Sequence, residues 1–197
     1  APTLASAVHE RLRADILSGR LLPGRRLPIK ALMEDYAIGQ TPLREALNRL
    51  AADGLVLAED QRGFTVPPVS PAELEELTRT RCWLEERALR ESMARATPAW
   101  EEALLLAGHR LSRAPRLPDG PNEEWEAQHR AFHALLVGNC ASRWLEGFCQ
   151  QLTDRHQRYR RLAARRAFGK RDVAAEHRAI LDAVLAGAAD AAVAALV

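Results

Sequence analysis

Gln40-Thr41-Pro42-Leu43-Arg44-Glu45-Ala46-Leu47-Asn48-Arg49-Leu50 carries two signals at once, a helix start and a two-faced helix. Thr41 offers an oxygen that can cap exposed amides, and Pro42 suits a first helical turn, where its missing N–H costs nothing; a helix is predicted to begin at Thr41. Leu43, Ala46, Leu47 and Leu50 recur at three- and four-residue steps and form an inward stripe. Thr41, Arg44, Glu45, Asn48 and Arg49 fall on the outward face. Asp53-Gly54 ends the element.

On the N-terminal side, Leu4, Val8, Leu12 and Ile16 make one stripe of a first helix, which stops at Gly19 before the turn Leu22-Pro23-Gly24. A short second helix is predicted over 29–36, with Leu32, Met33 and Tyr36 inward and Gly39 as its breaker. On the C-terminal side, Leu55-Val56-Leu57 and Phe64-Thr65-Val66 flank the polar stretch Glu59-Asp60-Gln61-Arg62-Gly63 and read as a hairpin. Three helices followed by a hairpin make a winged helix-turn-helix, assigned to residues 1–68 and closed by Pro67-Pro68, which can continue neither strand nor helix.

The remainder, residues 69–197, reads as an antiparallel helical bundle, so the chain is mainly α. Ser70 and Glu73 form a capping box around Pro71, and Leu74, Leu77, Leu84 and Ala88 continue that helix to about Ala94. Thr97-Pro98 opens the next, carrying Trp100, Leu104 and Leu111. Three prolines and a glycine make 114–121 the one long loop. Helices follow over 123–137, closed by Gly138, and over 142–166, with Leu145, Phe148, Leu152 and Tyr159 inward and a break at Gly169. The last helical stretch, from Asp172, is interrupted at Gly187.

With 197 residues and a net charge of +2, the chain is large enough for two small domains and too weakly basic for bulk charge to argue nucleic-acid binding. No apolar run approaches the roughly 20 residues of a membrane span, and a cytoplasmic location is expected. Cys82, Cys140 and Cys149 form no C-x-x-C pair and read as small buried hydrophobes.

The placement of the charges is more telling than their sum. The later helix of a helix-turn-helix enters the major groove, where Arg44 and Arg49 can reach guanine edges. Thr41 and Lys30 suit phosphate, while Arg62-Gly63 at the hairpin tip lets backbone approach a groove closely. The bland alternative is a solvated face in which Glu45 pairs with Arg49, four residues on. The basic run Arg155, Arg158, Arg160, Arg161, Arg165, Arg166, Lys170 and Arg171 is read as a solvated helix end, not a second DNA contact.

In the second domain the histidines lie on inward faces. His129 and His133 are one turn apart beside Trp125, Phe132 and Leu136, and His177 precedes Ile180, Leu181 and Val184 at helical spacing. A lone inward histidine is ordinarily a hydrogen-bonded core residue; this set can converge on a divalent metal, zinc or nickel. His156, between Leu152 and Tyr159, is a weaker candidate and suits a pocket wall. Arg81 sits between Leu77 and Leu84, where a buried cation requires an anion: an acidic effector, or Glu85 one turn on. A His-x-x-x-His helix also opens zinc hydrolases, but their general base follows the first histidine, and here that residue is Arg130. An enzyme is therefore not expected. A helical adaptor is the other rival, and it leaves Arg44, Arg49 and the wing without a purpose.

Leu22-Pro23-Gly24, Leu27, Thr41-Pro42-Leu43-Arg44-Glu45-Ala46-Leu47, Leu50, Gly54-Leu55-Val56 and Gly63 together resemble the DNA-binding domain of GntR-type regulators. Arg81-x-x-Leu84-Glu85, Phe132-His133, Gly138-Asn139, Glu176-His177 and Ile180-Leu181 extend the resemblance to the FadR-like subgroup with an FCD effector domain. The family has Ser-Arg before Thr-Pro where this chain has Gly39-Gln40, which puts Gln40 at a DNA-contact position and alters the expected operator. The resemblance implies a metabolite-responsive repressor: a homodimer on a palindromic DNA operator, released by a small carboxylate. It also implies an Asp or Asn as first metal ligand, where His129 stands, and a last histidine at or just past Val197.

Overall fold

The computed structural model describes residues 3–59, 62–116, 123–167 and 172–197. The chain divides into two compact units, Ala1–Glu76 with Asp154–Ala163, and Leu77–Thr153 with Ala164–Val197.

The first unit holds α1 (Leu4–Leu17), β1 (Arg26–Leu27), α2 (Ile29–Tyr36), α3 (Gln40–Ala52), β2 (Leu57–Glu59) and β3 (Gly63–Thr65). Val8, Leu12 and Ile16 meet Leu43, Leu47 and Leu50 in its core, so the inward stripes of α1 and α3 are the surfaces that pack. Burial of such side chains contributes roughly 1.5–3 kcal/mol each. Leu4 departs from the expected stripe and is 73% exposed, while its neighbour Ala5 is buried instead.

Helix α3 begins one residue before Thr41, with Gly39 in the capping position and no side-chain cap. Thr41 is thus an exposed residue of the first turn instead of its cap, which leaves its hydroxyl outward. The hairpin is shifted C-terminally on its first arm: Leu55 and Val56 are buried in the turn after α3, and the strand starts at Leu57. A third strand, β1, pairs antiparallel with β3, giving the order β1-β3-β2 with Leu27 and Ala58 flanking Phe64. Gly24 makes this possible. At φ +76° its N–H donates to the Val66 carbonyl at 2.9 Å, while Val66 N–H donates to the Arg25 carbonyl at 2.9 Å.

The second unit is helical: α4 (Pro71–Ala94), which starts in the first unit, α5 (Pro98–Arg113), α6 (Glu123–Gly138), α7 (Arg143–Ala167), α8 (Val173–Leu185) and α9 (Ala189–Leu196). Ser70 Oγ accepts from Glu73 N–H at 3.0 Å at the start of α4, and Thr97 Oγ1 caps α5 through Trp100 N–H at 3.3 Å. Phe132, Leu104, Leu136 and Leu89 are fully buried in one core with Ile180 and Val184. On α7, Phe148 is 51% exposed where an inward position was expected, and its neighbour Cys149 is buried instead. The helix is rotated so that the short thiol, not the ring, meets the core. Gly169, Lys170 and Arg171, with most of the loop expected over 114–121, lie outside the described residues, as do the side chains of Arg158, Arg160, Arg161, Arg165 and Arg166. No helix is long and apolar enough to cross a membrane among the described residues.

Candidate functional site

Lys30, Gln40, Thr41, Arg44, Arg49, Arg62 and Gly63 are all exposed. Arg49 does not take Glu45 as its partner: its Nη1 donates to Ser6 Oγ at 3.2 Å, tying the end of α3 to the start of α1. Arg44 and Lys30 form no ion pair among the described residues. Arg62 lies 3.6 Å from the Glu59 carboxylate at the base of the wing, an exposed pair of little energetic weight. Gly63 has φ +85°, a conformation that a side chain would strain. Arg25 and Arg26 add two exposed cations beside the wing that no local pattern singled out, because β1 is only two residues long.

The three candidate metal ligands come together in the second unit. Donor atoms of His129, His133 and His177 all lie within 4.8 Å of one another. His133 Nε2 and His177 Nε2 are 3.2 Å apart, and His177 Nδ1 lies 2.6 Å from the Val173 carbonyl. A carbonyl only accepts, so Nδ1 of His177 carries the proton and Nε2 presents its lone pair, the arrangement in which a hydrogen bond from the far nitrogen fixes the tautomer and direction of a metal-binding imidazole. Two nitrogens on a tetrahedral zinc at ordinary bond lengths stand about 3.3 Å apart, so the spacing fits such an ion. Trp125 stacks on His129 at 4.7 Å between centroids and Phe132 meets His177 edge-on at 5.6 Å, so aromatic walls hold the rings.

His133 also borders a cavity of about 280 Å³ whose charged and polar wall is Glu85, Arg130, Arg143, Glu146, Gln150 and Thr153. Burial pushes the Glu85 carboxyl up, opposed by the Arg81 charge and by the Thr153 hydroxyl, which donates at 3.2 Å. The Cys149 thiol is pushed up to about 12, first by burial and then by Glu85 and Cys140, so it stays protonated at neutral pH. Arg81 and His156, expected at the effector, do not line this cavity. Arg81 stands 3.7 Å from Glu85, the bland pairing, and His156 belongs to the first unit. Arg130 and Arg143 line the cavity although no local pattern singles them out, and Arg130 is the residue after His129, where a zinc hydrolase would carry its general base.

Residues 4–66 match the gntR family of bacterial regulatory proteins, and residues 76–197 match the FCD domain. The chain belongs to the GntR family and carries an FCD domain. This GntR regulator is 40% identical to the HTH-type transcriptional regulator BphR of Paraburkholderia xenovorans (strain LB400), over 93% of the chain and 77% of that protein. It is 34% identical to the HTH-type transcriptional repressor GlaR of Escherichia coli (strain K12), over 79% of the chain and 71% of that protein. Among solved structures, E. coli McbR/YncC superposes with a TM-score of 0.81 at 25% identity, covering 100% of this chain and 92% of the other. The FCD protein is a DNA-binding transcriptional regulator and not an enzyme.

Proposed function

We propose that this regulator is a metabolite-responsive repressor that acts in the cytoplasm as a homodimer. Residues 1–68 read a palindromic operator through Gln40, Thr41, Arg44 and Arg49, with Lys30, Arg62 and Gly63 on the backbone and groove edge. Residues 69–197 form the dimer and bind a small carboxylate effector beside one zinc or nickel ion held by His129, His133 and His177.

The observation that carries this reading is the convergence of three imidazoles from two helices next to a cavity walled by Arg130 and Arg143. Neutral imidazoles suit a borderline divalent ion, and the ion's positive charge would add to the two guanidinium groups in attracting a carboxylate. Arg81 enters as the cation that holds Glu85 in the cavity wall. The outward face of α3 supports the DNA reading, since Arg44 is left available to a partner.

Selection of duplexes from a random pool with the full chain, followed by footprinting, tests the proposal. Enrichment of an inverted repeat is expected, because two-fold protein symmetry requires two-fold site symmetry. Enrichment of a direct repeat or of a single half-site would overturn the dimer reading.

A further inference from the structure

One residue of the turn between α2 and α3 stands in a backbone conformation that its side chain disfavours. Ala37, the C-cap of α2, has φ +51° and ψ +51°, the left-handed region that residues other than glycine, asparagine and aspartate rarely enter. Its methyl group offers no hydrogen bond to offset the strain, and it is exposed, so packing does not hold it there. The Ala37 N–H donates to the Glu34 carbonyl at 3.3 Å, and the Ile38 N–H donates to the Met33 carbonyl at 3.1 Å. Gly39 follows as the N-cap of α3 and supplies no side-chain cap, so the direction in which α3 sets out depends on this turn.

Helix α1 braces the turn through Tyr36, the buried last residue of α2. Arg11 Nη1 donates to the Tyr36 carbonyl at 3.3 Å, and the same guanidinium lies over the Tyr36 ring, 4.9 Å from its centroid. That carbonyl is among those a helix end leaves without an intrahelical partner, and it sits at the negative end of α2, where a cation is favoured. The Tyr36 hydroxyl donates to Asp15 Oδ2, one turn past Arg11 on α1, and Arg20 Nη1 donates to Asp15 Oδ1 at 3.0 Å. Burial, then the bond to Asp15, pushes the phenol up, so it remains a donor. Tyr36 is thus held twice, by Arg11 at its carbonyl and ring and by Asp15 at its hydroxyl. All of these residues belong to the first compact unit.

We propose that Arg11 is a positioning residue for operator recognition: by fixing Tyr36 it keeps Ala37 left-handed, and so sets the angle at which α3 presents Gln40, Thr41 and Arg44 to DNA. The inference rests on the reading of α3 as the helix that enters the groove, and it extends the recognition machinery to a residue of α1 that itself reads no base. Strained backbone persists only where neighbouring contacts over-determine it. Arg11 supplies such contacts from outside the segment formed by α2, the turn and α3. Its planar guanidinium can stack and donate at once, which a lysine ammonium cannot. The effect falls on selectivity. Contacts to phosphate survive a small change in the direction of α3, whereas bidentate contacts to base edges require the side chains in register.

The test uses the full chain and two duplexes, the one enriched from a random pool and a scrambled sequence of equal length. Arg11 is exposed, so its variants are expected to fold. Arg11→Met is expected to weaken binding to the enriched duplex several-fold and to the scrambled one little, with unchanged salt dependence, because no phosphate contact is lost. Arg11→Lys, which keeps the charge, is expected to behave like Arg11→Met. Ala37→Gly relieves the strain, so Arg11→Met is expected to cost much less selectivity in that background than in wild type. The Ala37, Ile38 and Leu43 amides, which donate to the Glu34, Met33 and Gly39 carbonyls, read the turn without DNA, and their hydrogen exchange should quicken in Arg11→Met. Equal loss on both duplexes, a reduced salt dependence, rescue by lysine, equal Arg11→Met effects in the two backgrounds, or unchanged exchange at these amides would overturn the proposal. Wild-type binding by Arg44→Ala would instead sink the reading of α3, and the exchange comparison would still decide whether Arg11 holds the turn.

Discussion

His133 and His177 meet through their Nε2 atoms, 3.2 Å apart, although 44 residues separate them in the chain. Two neutral imidazoles at that distance share one hydrogen or one cation. Because Nδ1–H of His177 donates to the Val173 carbonyl, its Nε2 lone pair faces His133 and the convergence point.

Protein purified without an affinity tag is therefore expected to carry one equivalent of zinc or nickel per chain by elemental analysis. The double variant His133→Ala, His177→Ala should carry none. Trp125, stacked on His129, supplies a second readout, since metal added to stripped protein should change tryptophan emission in the wild type and not in the variant. Equal metal content in the two proteins would return the histidines to a purely packing role.

Arg44→Ala should weaken operator binding by about 1–3 kcal/mol and relax preference at one base pair per half-site, the signature of a bidentate base contact. Lys30→Ala should weaken all sequences alike and lower the salt dependence of binding. Wild-type affinity and selectivity for Arg44→Ala would mean that α3 does not enter the groove as assigned.

Glu85 links stability to pH. Burial raises its folded-state value above the ordinary 4.5, so folding favours the protonated acid. The stabilisation from that acid is fully present below the unfolded-state value and is lost as pH rises through the folded one. Glu85→Gln removes the ionisation, and its melting temperature relative to wild type should climb across that interval. Arg81→Met, which removes the opposing cation and so raises the folded-state value further, should extend the loss to higher pH and enlarge it. A constant difference between Glu85→Gln and wild type from acid to neutral pH would contradict the assignment.

Leu47→Ala should destabilise the first unit by about 2–5 kcal/mol, since Leu47 is fully buried between α1 and α3 and the neighbours can only partly close the cavity. Leu4→Ala, at a position 73% exposed, should change stability by less than about 0.5 kcal/mol. Chemical denaturation of the two variants separates the real stripe from its apparent first member.

The sequence by itself determined the elements whose signals are local. Leu43, Ala46, Leu47 and Leu50 repeat at helical spacing, so α3 and the exposure of Arg44 on its far side could be read without a partner. His129 and His133 had to share a face, because four residues make about one turn. What lay far apart in the chain was settled only by tertiary structure. That His177 completes the cluster, and that Arg81 turns to Glu85 while Arg130 and Arg143 line the cavity, depend on how helices pack. The two-residue strand β1 exists only because β3 offers its edge, and Phe148 is exposed because α7 turns Cys149 to the core. Periodicity names a helical face; the neighbours that cover it, and hence which side chain is paired, buried or left free, follow from contacts that no local pattern encodes.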